Sequence, residues 1–154
     1  MNLWDWAVAA YGAPGVADAC LTLQDHHEQN VPLLLWSAWI AQTGRCPDEE
    51  TIEAACDTAR AWDGVVTAPL RAVRRTLKAP VPDIDDGPRE AVRQRIKAVE
   101  LEAEKHLLAA LEALAPAPDG PPRPVIDGLA ATTRVWSRVT PRPALVRLAE
   151  ALPA

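Results

Sequence analysis

Between Pro32 and Gly44 the chain reads Leu33-Leu34-Leu35-Trp36-Ser37-Ala38-Trp39-Ile40, a helix-length stretch that is apolar on every side. A helix with no polar face is either surrounded by protein or crosses a membrane. This stretch is far short of the roughly 20 apolar residues that a span needs. It therefore predicts a central helix wrapped by others. The rest of the chain agrees with that choice. It has 154 residues, no Phe, one Tyr and six Trp. β-branched residues are scattered rather than alternating, which disfavours strands. Apolar residues are 49% and charged residues 24%, a globular balance.

Punctuation marks out the other helices. Asn2 is a candidate N-cap for a helix over Leu3–Tyr11. Gly12-Ala13-Pro14-Gly15 breaks it, and a second helix is expected over about 14–29, with Val16, Cys20, Leu23 and His27 on one side. Pro32 opens the central helix and Gly44 stops it. Asp48 opens the next, with Glu49, Glu50 and Glu53 near its positive end. It runs to Trp62, where Asp63-Gly64 predicts a break or kink before a helix ending at Lys78. After the loop from Ala79 to Gly87, Pro88 starts the longest helix, ending near Leu114. Its stripe is Val92, Ile96, Val99, Ala103, Leu107, Ala110 and Leu114, and Leu101 and Leu108 form a second strip that asks for its own partner. The expected cover for that strip is the tail, with a second copy of the chain as the alternative.

The segment from Pro116 to Pro124 holds five prolines and one glycine. It reads as a semi-rigid linker. Two short helices follow, over about 127–139 and 143–152. The expected fold is an all-α compact bundle with a hydrophobic central helix and a long C-terminal helix. The expected division is a bundle domain over 1–115 and a Pro-rich linker with a short helical tail over 116–154. Trp136 is placed to tether that tail.

Charge narrows the function. The formal net charge is -5, but residues 1–63 carry ten acids against Arg45 and Arg60, while residues 64–154 carry fourteen bases against eleven acids. An acidic total argues against general nucleic-acid binding. Cys20, Cys46 and Cys56 form no Cys-x-x-Cys pair, which supports neither a disulfide framework nor a zinc ribbon and suggests a reducing compartment. The opening residues show no basic region followed by a long apolar run, so a cytoplasmic location is expected. No metal site and no cofactor are expected.

Two constellations carry the candidate chemistry. Arg71, Arg74, Arg75 and Lys78 are spaced to face one way on a helix. Such a stripe either docks an acidic protein segment or other anion, or is answered by Glu90, Glu100 or Glu104 of the long helix. The second constellation is Trp4, Trp36 and Trp62 with Gln24, Asp25 and Asn30. The tryptophans either fill a core that lacks Phe or wall a pocket whose ligand the polar groups orient. His26 and His27 point about 100° apart on a helix, a poor start for a metal site. No nucleophile stands at a readable spacing from a base, so no catalytic residue is assigned. The leading expectation is a non-enzymatic interaction or adaptor module, possible as a homodimer. The alternative is a small-molecule-binding helical protein.

Several separated motifs occur in order: Leu3-Trp4-Asp5-Trp6-Ala7, Leu23-Gln24-Asp25, Asn30-Val31, Pro69-Leu70-Arg71, Arg74-Arg75-x-Leu77-Lys78 and Lys97-Ala98-x-Glu100-Leu101-x-Ala103-Glu104. Together they resemble a family of small uncharacterised proteobacterial proteins, catalogued as a domain of unknown function. The resemblance covers about residues 3–114. It implies a helical cytoplasmic protein and no particular chemistry.

Overall fold

A computed structural model describes residues 1–154. It contains eight α-helices and no strand: α1 Leu3–Tyr11, α2 Val16–His27, α3 Val31–Gln42, α4 Glu49–Trp62, α5 Ala68–Thr76, α6 Asp86–Leu114, α7 Val125–Trp136 and α8 Arg142–Ala151. The starts follow from local chemistry. Asn2, Asn30 and Asp48 each accept a hydrogen bond from the backbone N–H three residues on, at 2.8, 3.0 and 2.8 Å. Each satisfies a donor that a helix start otherwise leaves free. Pro32, in the first turn of α3, forfeits no intrahelical bond. The α6 helix begins two residues earlier than Pro88, because proline is tolerated within a first turn.

The Asp63-Gly64 signal, expected to give a break or a kink, produces no break. A π-turn over Asp63–Thr67 joins α4 to α5, and the Ala68 N–H reaches back five residues to the Asp63 carbonyl. One wide turn places Pro69 at the start of a fresh helical segment, where its missing N–H does no damage.

The α3 helix is central. Eleven of its twelve residues are buried, and Trp36 has no exposed surface. The helix most closely applied to it is α7. A Cβ added at Gly128 would stand 2.8 Å from the Ser37 carbonyl oxygen and 3.1 Å from the Ala41 Cβ. Ser37 and Thr132 hydroxyls share a 2.8 Å hydrogen bond there, while Ser37 also donates to the Leu33 carbonyl. Leu129, Leu145 and Leu148 are fully buried in the same core as Leu3 and Leu23.

The proline-rich segment is pinned to the end of α3. Gly44, in the left-handed region at φ 67°, presents its carbonyl to the N–H groups of Asp119 and Gly120. Arg123 donates its N–H to Ala41 and its guanidinium to the Arg45 carbonyl, and Arg45 reaches Pro116 in return. Carbonyls that a helix C-terminus leaves open are thereby satisfied. Trp136 does tether the tail: its indole donates to the Glu28 carbonyl at 2.9 Å, and Arg60 lies 4.2 Å over its ring.

Two expectations about α6 need correction. Ala103, Leu107, Leu108 and Leu111 are its buried residues, whereas Val92, Val99 and Ala110 lie outside. Every buried residue of α6 lies from Ala103 onward, so the periodicity before it is not used by the core. The Leu101 and Leu108 strip is not covered by the tail, because α7 and α8 pack on α2, α3 and α4. The packing of α1 and α3 on α6 leaves Leu108 buried and Leu101 56% exposed.

From Ala68 to Glu102 no residue is buried. The α5–α6 hairpin is held by charge: Arg74 pairs with Glu100, and Arg89 donates to the carbonyls of Leu77 and Lys78. Arg71 and Arg74 are half-buried together with Leu70 and Leu77, while Val73 faces solvent.

Candidate functional site

A cleft of about 870 Å³ separates the α1–α2 corner from the α5–α6 hairpin. Its floor is the first turns of α3, at Val31, Pro32 and Leu35. Trp4, Val8 and Tyr11 of α1 and Leu21 of α2 form one wall. Opposite them, α6 presents Leu101 and Leu108. This chamber is mainly apolar. Gln24, Arg71 and Glu104 lie at its inner end and also line an adjoining chamber of about 280 Å³, which is polar. Glu28, Asp63 and Thr67 complete that inner chamber with Trp136.

Helix geometry explains the convergence. Trp4, Val8 and Tyr11 are spaced to share one side of α1, and Leu101, Glu104 and Leu108 share one side of α6. The π-turn sets the start of α5, and Arg71 then points into the gap between α4, α6 and the end of α2. Lys105, one residue past Glu104, lies outside the cleft, 5.1 Å from the Trp4 ring centroid.

The arginine stripe does not stand free in solvent. Arg74 meets Glu100 at 2.5 Å with both side chains half-buried. Arg71 lies 3.8 Å from Asp63, and Arg75 crosses to Asp25 of α2 at 2.8 Å on the exposed rim. Lys78 is exposed and makes no ion pair. The packing of α5 against α6 and the π-turn brings Arg71 and Arg74 to their acids.

Glu104 differs from these acids. It makes no hydrogen bond or ion pair, although it is half-buried. Burial pushes its carboxyl above the usual range, Arg71 pulls it back, Glu100 adds to the rise and Arg74 opposes it. Tyr11 is raised by burial and by the charges of Cys20, Glu104 and Asp18. Cys20, fully buried, is pushed up to about 12, by burial first and then by Glu104.

The remaining candidate residues scatter. Trp4 and Gln24 line the cleft. Asn30 borders the inner chamber, but its side-chain oxygen caps α3. Asp25 is a rim strut to Arg75. Trp36 is solid core, and Trp62 donates to the Ala103 carbonyl at 3.0 Å, pinning α4 to α6 away from both chambers. His26 and His27 are exposed, since α2 ends there. No group of three or more His, Cys, Asp or Glu side chains could hold a metal ion. Tyr11 and Glu104 enter the site without having been singled out for a pocket. The second apolar strip on α6 was the signal for the face that carries Glu104.

Residues 2–111 match the profile of a family described as Protein of unknown function (DUF2390). The chain belongs to the DUF2390 family. No curated protein and no solved structure matches it. The DUF2390 segment supplies every wall of the outer chamber, and only Trp136, in the inner chamber, comes from outside it. The motif residues Trp4, Gln24, Arg71, Arg74, Leu101 and Glu104 come from four helices and meet in this one cleft.

Proposed function

We propose that this DUF2390 chain binds a small amphipathic organic molecule in the cleft between α1–α2 and the α5–α6 hairpin. The observation that carries the reading is a large apolar chamber opening at its inner end onto a polar one. Ligand sites are concave, mostly apolar and supplied with a few convergent polar groups. The rim supports it too. Val8, Tyr11, Leu21 and Leu101 are between 40% and 56% exposed around one opening. Apolar side chains grouped like this mark a contact surface. Binding is favoured over nucleophilic chemistry, because Cys20 holds its proton at neutral pH and thiolate is the reactive form.

Native mass spectrometry of the purified full chain tests the proposal, with Leu101→Arg as the comparison. Leu101 is exposed, so the substitution leaves the core alone while placing a cation in the mouth. A small-molecule adduct on the wild type that is missing from Leu101→Arg supports the cleft. An adduct carried equally by both refutes it. The adaptor reading, in which the arginine face docks an acidic partner, competes for the same charges. It requires Asp25, Asp63 and Glu100 to be displaced from Arg75, Arg71 and Arg74. Affinity capture with wild type and a triple Arg→Glu variant at 71, 74 and 75 tests it. A partner held only by the wild type, while Leu101→Arg keeps it, would move the function to that face.

A further inference from the structure

We infer that the cleft selects an amphipathic amine, whose ammonium group pairs with Glu104 while its apolar body lies against Trp4, Tyr11 and Leu101. The inference rests on the cleft being a ligand site and concerns the class of ligand. Its basis is which charges in the cleft already have partners. Arg74 is held by Glu100, and Arg71 is shared between Asp63 and the field of Glu104. Lys97 is an exposed rim residue with solvent around it. The acids are less well served. Glu28, Asp63 and Glu104 line the inner chamber against Arg71 alone. Glu104 makes no direct contact with a donor, and a partly buried carboxylate without one is costly.

A cationic head supplies what Glu104 lacks. Gln24 adds a second acceptor, because its amide nitrogen turns toward Asp25 at 3.4 Å and its oxygen accepts from nothing. An ammonium donates three hydrogen bonds and so can use both. The aromatic walls, Trp4 and Tyr11, take the apolar body. A carboxylate head fares worse. It would have to take Arg74 from Glu100 or share Arg71, which lies 3.8 Å from Asp63 without a hydrogen bond, and there it would stand beside Glu104, an unpaired like charge.

Isothermal titration calorimetry on the full chain at pH 7 separates the possibilities. The probes are n-octylamine, n-octanol and octanoate. The proteins are wild type, Glu104→Gln, Leu101→Arg and Glu53→Gln, the last an exposed acid on α4 away from the cleft. The expected result is octylamine at least tenfold tighter than octanol and octanoate. Glu104→Gln brings octylamine down to the level of octanol and leaves octanol unchanged, Leu101→Arg weakens all three, and Glu53→Gln changes nothing. The inference is overturned if octanoate binds tightest, if octylamine has no advantage over octanol, or if its advantage survives Glu104→Gln. An equal loss in Glu53→Gln also overturns it, since that is general attraction to an acidic protein. Octanol binding that Leu101→Arg removes, without any preference for the amine, leaves the cleft standing and removes only the cationic head. If no probe binds, both readings fall.

Discussion

Alanine at Gly128 gives opposite expectations from helix propensity and from packing, and the structure decides between them. Gly128 lies inside α7. In a free helix Gly→Ala is favourable by about 0.8–1 kcal/mol. Here the new Cβ would sit 2.8 Å from the Ser37 carbonyl oxygen, closer than side-chain carbons approach oxygen in real proteins. The obstacle is backbone in the middle of α3, a helix buried along eleven of its twelve residues, so it has no room to retreat. The α7 helix must lift instead, straining the Ser37–Thr132 hydrogen bond. Overpacking of this kind costs about 1–3 kcal/mol. Set against the propensity gain, the net change runs from near zero to a loss of about 2 kcal/mol. For a chain of this size that is a Tm lower by up to about 8 °C. Gly64→Ala is the internal comparison. Its Cβ meets nothing within 4 Å, so the same substitution should raise stability by about 0.4–1 kcal/mol. Chemical denaturation and differential scanning calorimetry on both variants read the signs. If Gly128→Ala is as stabilising as Gly64→Ala, the close seating of α7 on α3 is wrong.

Glu104→Gln should make the protein more stable at pH 7 while weakening amine binding. The folded carboxyl holds its proton above the ordinary value near 4.5, so stability falls as pH rises from there through the raised value and is flat beyond. The advantage of Gln should therefore vanish below about pH 4 in a Tm-versus-pH series; a constant advantage at every pH contradicts this. Truncation after Ala115 should abolish cooperative unfolding, because Leu129, Leu145 and Leu148 leave the core; a sharp thermal transition in the fragment would instead make 1–115 an independent domain. Titration of native protein with a thiol reagent at pH 8 should modify Cys46 alone. Cys20 and Cys56 are buried, with thiols pushed up to about 12 and about 11, and three fast equivalents would refute that burial.

Much of the architecture could be read from single residues. Asn2 and Asp48 cap helices because a short polar side chain before an apolar run has one good use. The stretch from Leu33 to Ile40 declared itself central because no face of it could meet water. What could not be read were relations between helices distant in sequence. Spacing places Arg71, Arg74 and Arg75 on one face but does not reveal that Arg71 and Arg74 turn inward while Arg75 stays on the rim. That depends on how far α6 extends and on the pitch added by the π-turn. Val92 and Val99 follow the same period as Leu107, and only the lack of a neighbour distinguishes them. Trp4 and Trp36 are the same residue type in apolar settings. One became a wall and the other core because α1 is a peripheral helix and α3 is not. The cleft itself draws on five helices, and its one trace in the sequence was an apolar strip on α6 with no assigned partner.

The hairpin without a buried residue has a dynamic consequence. Local opening is easiest where few apolar contacts must be broken, and salt weakens the ionic contacts that hold α5 to α6. Backbone amides from Ala68 to Glu102 should therefore exchange with deuterium well before those of α3, and faster still at high ionic strength. Because Arg71, Arg74, Glu100 and Leu101 belong to this labile unit while Leu108 stays in the core, the outer part of one cleft wall should open more readily than the floor. A ligand held between them closes an entropic gap. Its affinity includes the work of ordering the hairpin, and the clearest sign of occupancy is slowed exchange along the outer half of α6, beyond the reach of the ligand itself.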